Sequence, residues 1–449
     1  MGLAVACQMG ESSQLWLGSG YLSSRRPKNA VRRRLGVRHL IGIESRFFED
    51  DQLNRGIAVM TVASARLLTA SAFAVAAMGG GDLTGQVPEL RLSEPVASFP
   101  QEFSAVRGLL ELPDGRLLVA DGLGQALMVV DLAAATADTI GRPGQGPEEY
   151  RQPDGLYALP DGAILLVDLG NGRLTELGSD LSFGPTMPFT QGDPALGGMS
   201  LRIPEDIDRA GRIYYQTRGN ISPGAPLPDS GAVLRWDRDS GETDTLATVK
   251  LQEMRRTTSG GRNNQQVSIS PVMLSPQDGW AAAPDGRVAV VRSSPYRVDW
   301  VLSDGRIVTG PAVDYRPVRV GRGEKTAYLA ERQRNSVSVS VQVENGRRSM
   351  AFSRGGRSGE PDIDAYEWPE VMPPFDATSV EIATGGELWV KRFGAADAPP
   401  TYDVFDGEGR LVRQVILPES RELVAFGDGV VYVVRIDEFD LQWLEKYQL

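Results

Sequence analysis

Six times along the chain a glycine stands at the head of a short apolar run: RLLVAD after Gly115, AILLVD after Gly162, RIYYQT after Gly211, RVAVVR after Gly286, ELWVKR after Gly386 and VVYVVR after Gly429. A glycine in a tight turn, followed by about five largely β-branched or aliphatic residues, is the pattern of a strand entered from a hairpin. Recurrence of such a unit implies that each one buries its apolar surface against its neighbours, because a lone hairpin cannot bury its own. The 51 Gly and 29 Pro are spread through the 449 residues, which fits a fold of many turns better than a helical bundle. The fold class expected is therefore all-β, and radially repeated β architectures reach this length without splitting into domains.

The first two units are the fullest. ELPDGRLLVADGLGQALMVVD and ALPDGAILLVDLGNGRLTELGSD each contain a strand, an Asp-Gly turn, a β-branched strand, a Gly-rich turn and a third alternating strand. Between them lies GRPGQGPEEYRQPDG. A Gly-rich segment followed by G-P-x-x-aromatic and then Pro and Gly resembles the blade-to-blade connection of NHL-repeat β-propellers. That resemblance implies a six-bladed propeller with one blade per marked glycine, and spacings of roughly 45 residues suit four-stranded blades. Blades three to five lack the Asp and the Gly-rich connection of the pattern, so the fold carries over further than any activity does. Related six-bladed propellers include lactonases, amidating lyases and sugar-acting hydrolases, which use a tunnel metal or a histidine.

The first 59 residues do not belong to the repeat. They hold nine basic and five acidic residues, concentrated in RRPKNAVRRRLGVRH, and read as an upstream extension or a disordered arm. From Met60 to Met78 the chain has the form of a secretory signal: one cation at Arg66, an apolar stretch from Leu67 to Met78, and Ala74 and Ala76 at signal-peptidase spacing. The stretch is short for a membrane span, which needs about 20 residues. The expected organisation is thus 1–59 upstream, 60–78 signal and 79–449 propeller, with a periplasmic or secreted location and no membrane span after cleavage. Cys7 and His39, the single cysteine and histidine, fall in the part that would be removed. The remainder, 37 basic against 53 acidic residues, has a net charge of −16. Without Cys or His it offers no disulfide, no Cys/His zinc site and no Ser-His-Asp arrangement. Its acidity and lack of a basic stripe argue against nucleic acid.

Two strands follow Gly429, VVYVVRID and LQWLEKYQL, which leaves the last blade short of a strand. Residues 87–99 are available to complete it and close the ring, hiding sheet edges. Two intervals between marked glycines are too long and are read as insertions. Residues 251–277 are polar and largely loop-like. Residues 319–376 contain the best helix candidate, GEKTAYLAERQRN, then SVSVSVQV and YEWPEVMPPF, which gives a short helical insertion between blades four and five. Either insertion roofs the loop-rich face or is a tolerated surface excursion. Trp236, Trp300 and Trp389 fall inside strand patterns and are expected in the core. Tyr366, Trp368 and Phe375 lie in the second insertion, available to stack on a sugar or peptide or to pack the loop down.

Counting six residues on from each marked glycine gives Asp121, Asp168, Thr217, Arg292, Arg392 and Arg435. In a closed ring these stand around one face, acidic on blades one and two and basic on blades four to six, and the arginines suit forked bonds to carboxylate or phosphate. The competing reading is that the aspartates bond their own loops and the arginines pair with neighbouring blades. GRPGQGPEE lacks the G-K-[ST] of a phosphate loop, and the P-D-G triplets lack the full acidic pattern of a calcium loop. The expected function is a monomeric, extracytoplasmic, non-catalytic binding or scaffold propeller that presents its loop face and tunnel mouth to a protein, peptide or glycan, with no catalytic residues, no dedicated metal site and no obligatory cofactor. The alternative is a lactone- or sugar-type hydrolase or lyase in the tunnel, using carboxylates or calcium.

Overall fold

The computed structural model describes residues 87–191, 200–219, 226–259, 266–335, 337–344, 347–354 and 362–449. The upstream segment 1–59 and the apolar segment 60–78 lie outside them. Among the described residues, five four-stranded sheets and one five-stranded sheet form a six-bladed β-propeller. Within each blade four strands run antiparallel from an inner strand outward. The inner strands are Val106–Glu111, Pro153–Ala158, Asp206–Ile207, Gly279–Ala282, Phe375–Ile382 and Arg421–Gly427.

The marked glycines fall in the hairpins between first and second strands. All six have positive φ, from +64° at Gly429 to +87° at Gly286. An L side chain is strained there, so the recurring glycine is a backbone requirement of the turn. The apolar runs that follow are the second strands, and both of their faces are covered. Leu117 and Val119 pack toward the last blade, while Leu118 and Ala120 pack toward the second. Burial on both sides explains why these strands read as continuous apolar runs rather than as alternating ones. Six buried clusters result, one in each blade-to-blade interface. Trp300 and Trp389 are fully buried within them and Trp236 nearly so.

The two ends of the described chain meet in the last blade. Ala97–Phe103 pairs antiparallel with Gln442–Gln448 as its outermost strand, and Phe99 and Phe103 pack on Val430, Tyr432 and Leu444. The Gln442 side chain accepts a hydrogen bond from Val106 N at 2.7 Å, joining that blade to the first. The closing strand thus overlaps the expected 87–99 only at 97–99 and runs on to Phe103. The earlier residues Glu89–Arg91 join blade five instead, parallel to Leu411–Ile416.

The interval 251–277, expected to be largely loop, contains an antiparallel hairpin of Met254–Ser259 with Gln266–Pro271. Runs such as VSIS supply strand propensity that the polar composition masked. The second insertion holds the helix Arg322–Asn335 and a hairpin of Val337–Glu344 with Arg347–Arg354. No helix among the described residues is long and apolar enough to cross a membrane.

Candidate functional site

The inner strands of all six blades surround a cavity of about 240 Å³ on the propeller axis, and Glu331 and Asn335 of the insertion helix also line it. The wall is close-packed. A Cβ on Gly108 would lie 2.4 Å from the Asp154 carbonyl oxygen, so only glycine lets the first and second inner strands approach this closely.

Side chains from three blades pin the helix over one mouth. Arg107 donates to Asn335 Oδ1 at 2.8 Å and to the Arg334 carbonyl. Arg334 donates to Glu422 Oε1 at 3.1 Å. Lys391 donates to Glu331, a short contact between two largely buried side chains. Burial by itself would raise the Glu331 carboxyl, but the Lys391 ammonium holds it below its usual range. Burial opposes the Lys391 charge too, and Glu331 more than offsets it, leaving the ammonium firmly protonated. Asp376 is pushed up by burial and by the charge of Glu331. The insertion therefore roofs the tunnel rather than wandering over the surface.

Deeper in the tunnel, near the hairpins of blades three and five, lie Glu205, Asp206 and Glu381. Burial pushes all three carboxyls up, and the charges of Glu205 and Glu381 help raise Asp206 to about 7. Asp206 Oδ2 accepts from Ala282 N at 2.7 Å. None of the three lies within 4.0 Å of a cationic group of a described residue, although the more distant charges of Arg218 and Lys391 partly offset the rise of Glu205 and Glu381. Trp280, Tyr157 and Tyr402 add aromatic surface to the same cavity.

The six strand-end residues named from the sequence do not line this cavity. Asp121 accepts from Ser104 N, Ala105 N and Gly124 N, each at 2.8 Å. Asp168 is fully buried, takes Arg151 N and pairs with Arg173 at 3.0 Å. Thr217 bonds across to Ala232. Arg292 pairs with Asp278 and Asp299 and donates to the Thr248 carbonyl of the preceding blade. Arg435 lies 3.5 Å from Glu445 and over the Trp443 ring. Arg392 is the loosest of the set, 3.7 Å from Asp403. Two of the three insertion aromatics turn inward: Trp368 donates to the Ile363 carbonyl and packs edge-on against Tyr328, and Phe375 is buried against Tyr296, while Tyr366 is partly exposed.

The positions six residues after the glycines are strand ends, all but Arg392 bonded to a loop or a neighbouring strand, whereas the cavity is lined by the strands before the glycines. Counting five residues back gives Leu110, Tyr157, Asp206, Ala281, Glu381 and Val424. Two carboxylates among otherwise uncharged residues was the signal available for the tunnel.

No family model matches the chain, and no curated protein does. Among solved structures it is similar to the calcium-binding protein regucalcin from Agrobacterium tumefaciens (12% identity, TM-score 0.38, covering 81% of this chain and 97% of that one). It is also similar to a gluconolactonase from Xanthomonas campestris (12%, 0.37, 81% and 96%) and to virginiamycin B lyase from Staphylococcus aureus (10%, 0.37, 79% and 98%).

Proposed function

We propose that this chain is an exported, NHL-like binding propeller whose central tunnel receives a positively charged nitrogen on the partner, such as a peptide amino terminus or an amino sugar. The observation that carries this reading is the gathering of Glu205, Asp206 and Glu381 in one cavity with no ion-pair partner among the described residues. Partly buried carboxylates raised by desolvation, Asp206 also by the charges of Glu205 and Glu381, hold an unfavourable free energy that an incoming cation relieves. The aromatic surface of Trp280 and Tyr157 suits the same guest, because ring faces attract ammonium groups. A cavity of about 240 Å³ admits the end of a ligand and not a folded domain. Calcium fits less well: among the described residues no group of three or more carboxylates is set to hold a metal ion. Export rests on the apolar segment 60–78 with its small-residue cleavage pattern.

The test is calorimetric titration with amine and N-acetylated pairs, glucosamine against N-acetylglucosamine and a dipeptide against its N-acetyl form. Acetylation should weaken binding at least tenfold, and Asp206→Asn and Glu381→Gln should do the same. Equal binding of both members of each pair would overturn the amine reading. One observation favours a second reading: a carboxyl titrating at about 7 beside two others is suited to general acid catalysis. Turnover of a lactone or glycoside that both substitutions abolish would select that alternative.

A further inference from the structure

A second cavity, of about 340 Å³, lies between the insertion helix and the loop that follows the second strand of blade five. It exists because that loop, FGAADAPP, is built largely of residues too small to fill the space beneath the helix. Glu331 and Lys391 line this pocket and the tunnel alike, so their ion pair is the partition between the two chambers.

Arg392 lines the second pocket and not the first. Its side chain is about three-quarters covered, yet its one contact with a charged group is Asp403 at 3.7 Å, beyond hydrogen-bond reach. Asp403 is already satisfied: one oxygen accepts from Tyr296 Oη at 2.8 Å and the other from Gln414 Nε2 at 2.7 Å. The guanidinium therefore keeps its planar fork of donors, with no described residue accepting from them. Arginine donors that no described residue engages, standing beside apolar walls, form a carboxylate anchor. The rest of the lining selects within the anions. Glu324 and Glu331 carry negative charge at the same pocket, which disfavours a dianion, while Tyr328, Phe393 and Met372 offer apolar surface to a ligand body.

We propose that this pocket is a second binding site, distinct from the tunnel and independent of the amine reading, that takes a small monocarboxylate with an apolar or aromatic body, its carboxylate on Arg392.

The experiment titrates the full chain with phenylacetate, hexanoate, phenylacetamide and phenyl phosphate, followed by ligand-observed NMR and calorimetry. Both carboxylates should bind at least tenfold more tightly than the amide and the phosphate. Arg392→Gln should lower carboxylate affinity at least tenfold, and Arg392→Lys, which keeps the charge but loses the fork, should recover only part of it. Ala327→Phe fills the pocket from an exposed helix position and leaves Arg392 and its neighbours in place. It should abolish binding without lowering the melting temperature, which guards against misreading an unfolded Arg392→Gln variant. Asp206→Asn, in the tunnel, should leave carboxylate affinity unchanged. Amide or phosphate binding as tight as phenylacetate, or undiminished phenylacetate binding by a folded Ala327→Phe variant, overturns the proposal.

Discussion

Replacing Asp206 with Asn should make the protein more stable at alkaline pH and change little in acid. The Asp206 carboxyl is raised from 3.8 to about 7, by burial first and then by the charges of Glu205 and Glu381. A carboxyl raised on folding binds its proton more tightly in the native state, so its contribution to stability is fully present below its unfolded pKa. That contribution is lost as pH climbs toward 7, after which the native state carries the whole cost of the buried charge. Between pH 5 and pH 8 the loss assigned to this one group is about 2–3 kcal/mol, at roughly 1.4 kcal/mol per pKa unit. Asn keeps an oxygen able to accept from Ala282 N and has no charge to bury, so the variant should lose that much of the slope. Urea unfolding of both proteins at pH 5 and pH 8 measures the difference directly. Carboxylates depressed by arginine, such as Asp299 with Arg292 and Arg297, act in the opposite sense. Their stabilisation is lost only as pH falls below about 4, outside the window. Parallel stability curves for the two proteins would refute the placement of an ionising Asp206 in a desolvated tunnel.

Two further substitutions probe the architecture. Gly115 has φ of +83° and open space where a Cβ would stand, so Gly115→Ala pays for backbone strain alone, about 1 kcal/mol by chemical denaturation; a loss above roughly 3 kcal/mol would mean that the turn also packs against something. Phe103 is 2% exposed in the strand that closes the ring. Phe103→Ala should cost about 3–5 kcal/mol, as in any interior site, and a loss under 1 kcal/mol would show that the closing strand is dispensable.

The fold was legible because its determinants are local and repeated. A positive-φ glycine followed by a strand buried on both faces leaves the same mark in each blade, even in blade three, where RIYYQT keeps little else of the pattern. The closing strand was legible in kind and misplaced in extent, since nothing local in 87–103 tells Glu89–Arg91, on blade five, from Ala97–Phe103, on blade six. The tunnel was harder to read. Asp206 and Glu381 are ordinary carboxylates in ordinary strands, 175 residues apart, and only ring closure brings their charges to bear on each other. The loop-stapling role of Asp121 was readable, because an aspartate beside a Gly-rich turn has the Gly124 N–H within reach, whereas Asp168 takes no backbone N–H of its own turn but Arg151 N in the connection before its blade.

The roof of the tunnel departs from what stability alone would select. An apolar helix face against an apolar mouth would seal the ring at least as well, since a buried ion pair roughly breaks even against hydrophobic packing. Instead the helix presents Glu331 and Asn335 to the cavity and is held by Arg107, Lys391 and Glu422. Truncating one member of such a pair leaves a buried charge uncompensated, so the contact favours one seating of the helix over others. Below it, the carboxylates of Glu205, Asp206 and Glu381 come from blades three and five, and the blade between them offers Trp280. The carboxylates without an ion-pair partner among the described residues thus lie on one side of the ring, with an aromatic side chain between their two sources, while the roof acids Glu331 and Glu422 are paired with Lys391 and Arg334. A purely structural plug has no need of unpaired carboxylates below a neutralised roof, whereas the proposed receptor for a positively charged nitrogen does, because the guest is drawn to the unpaired charges and not to the paired ones.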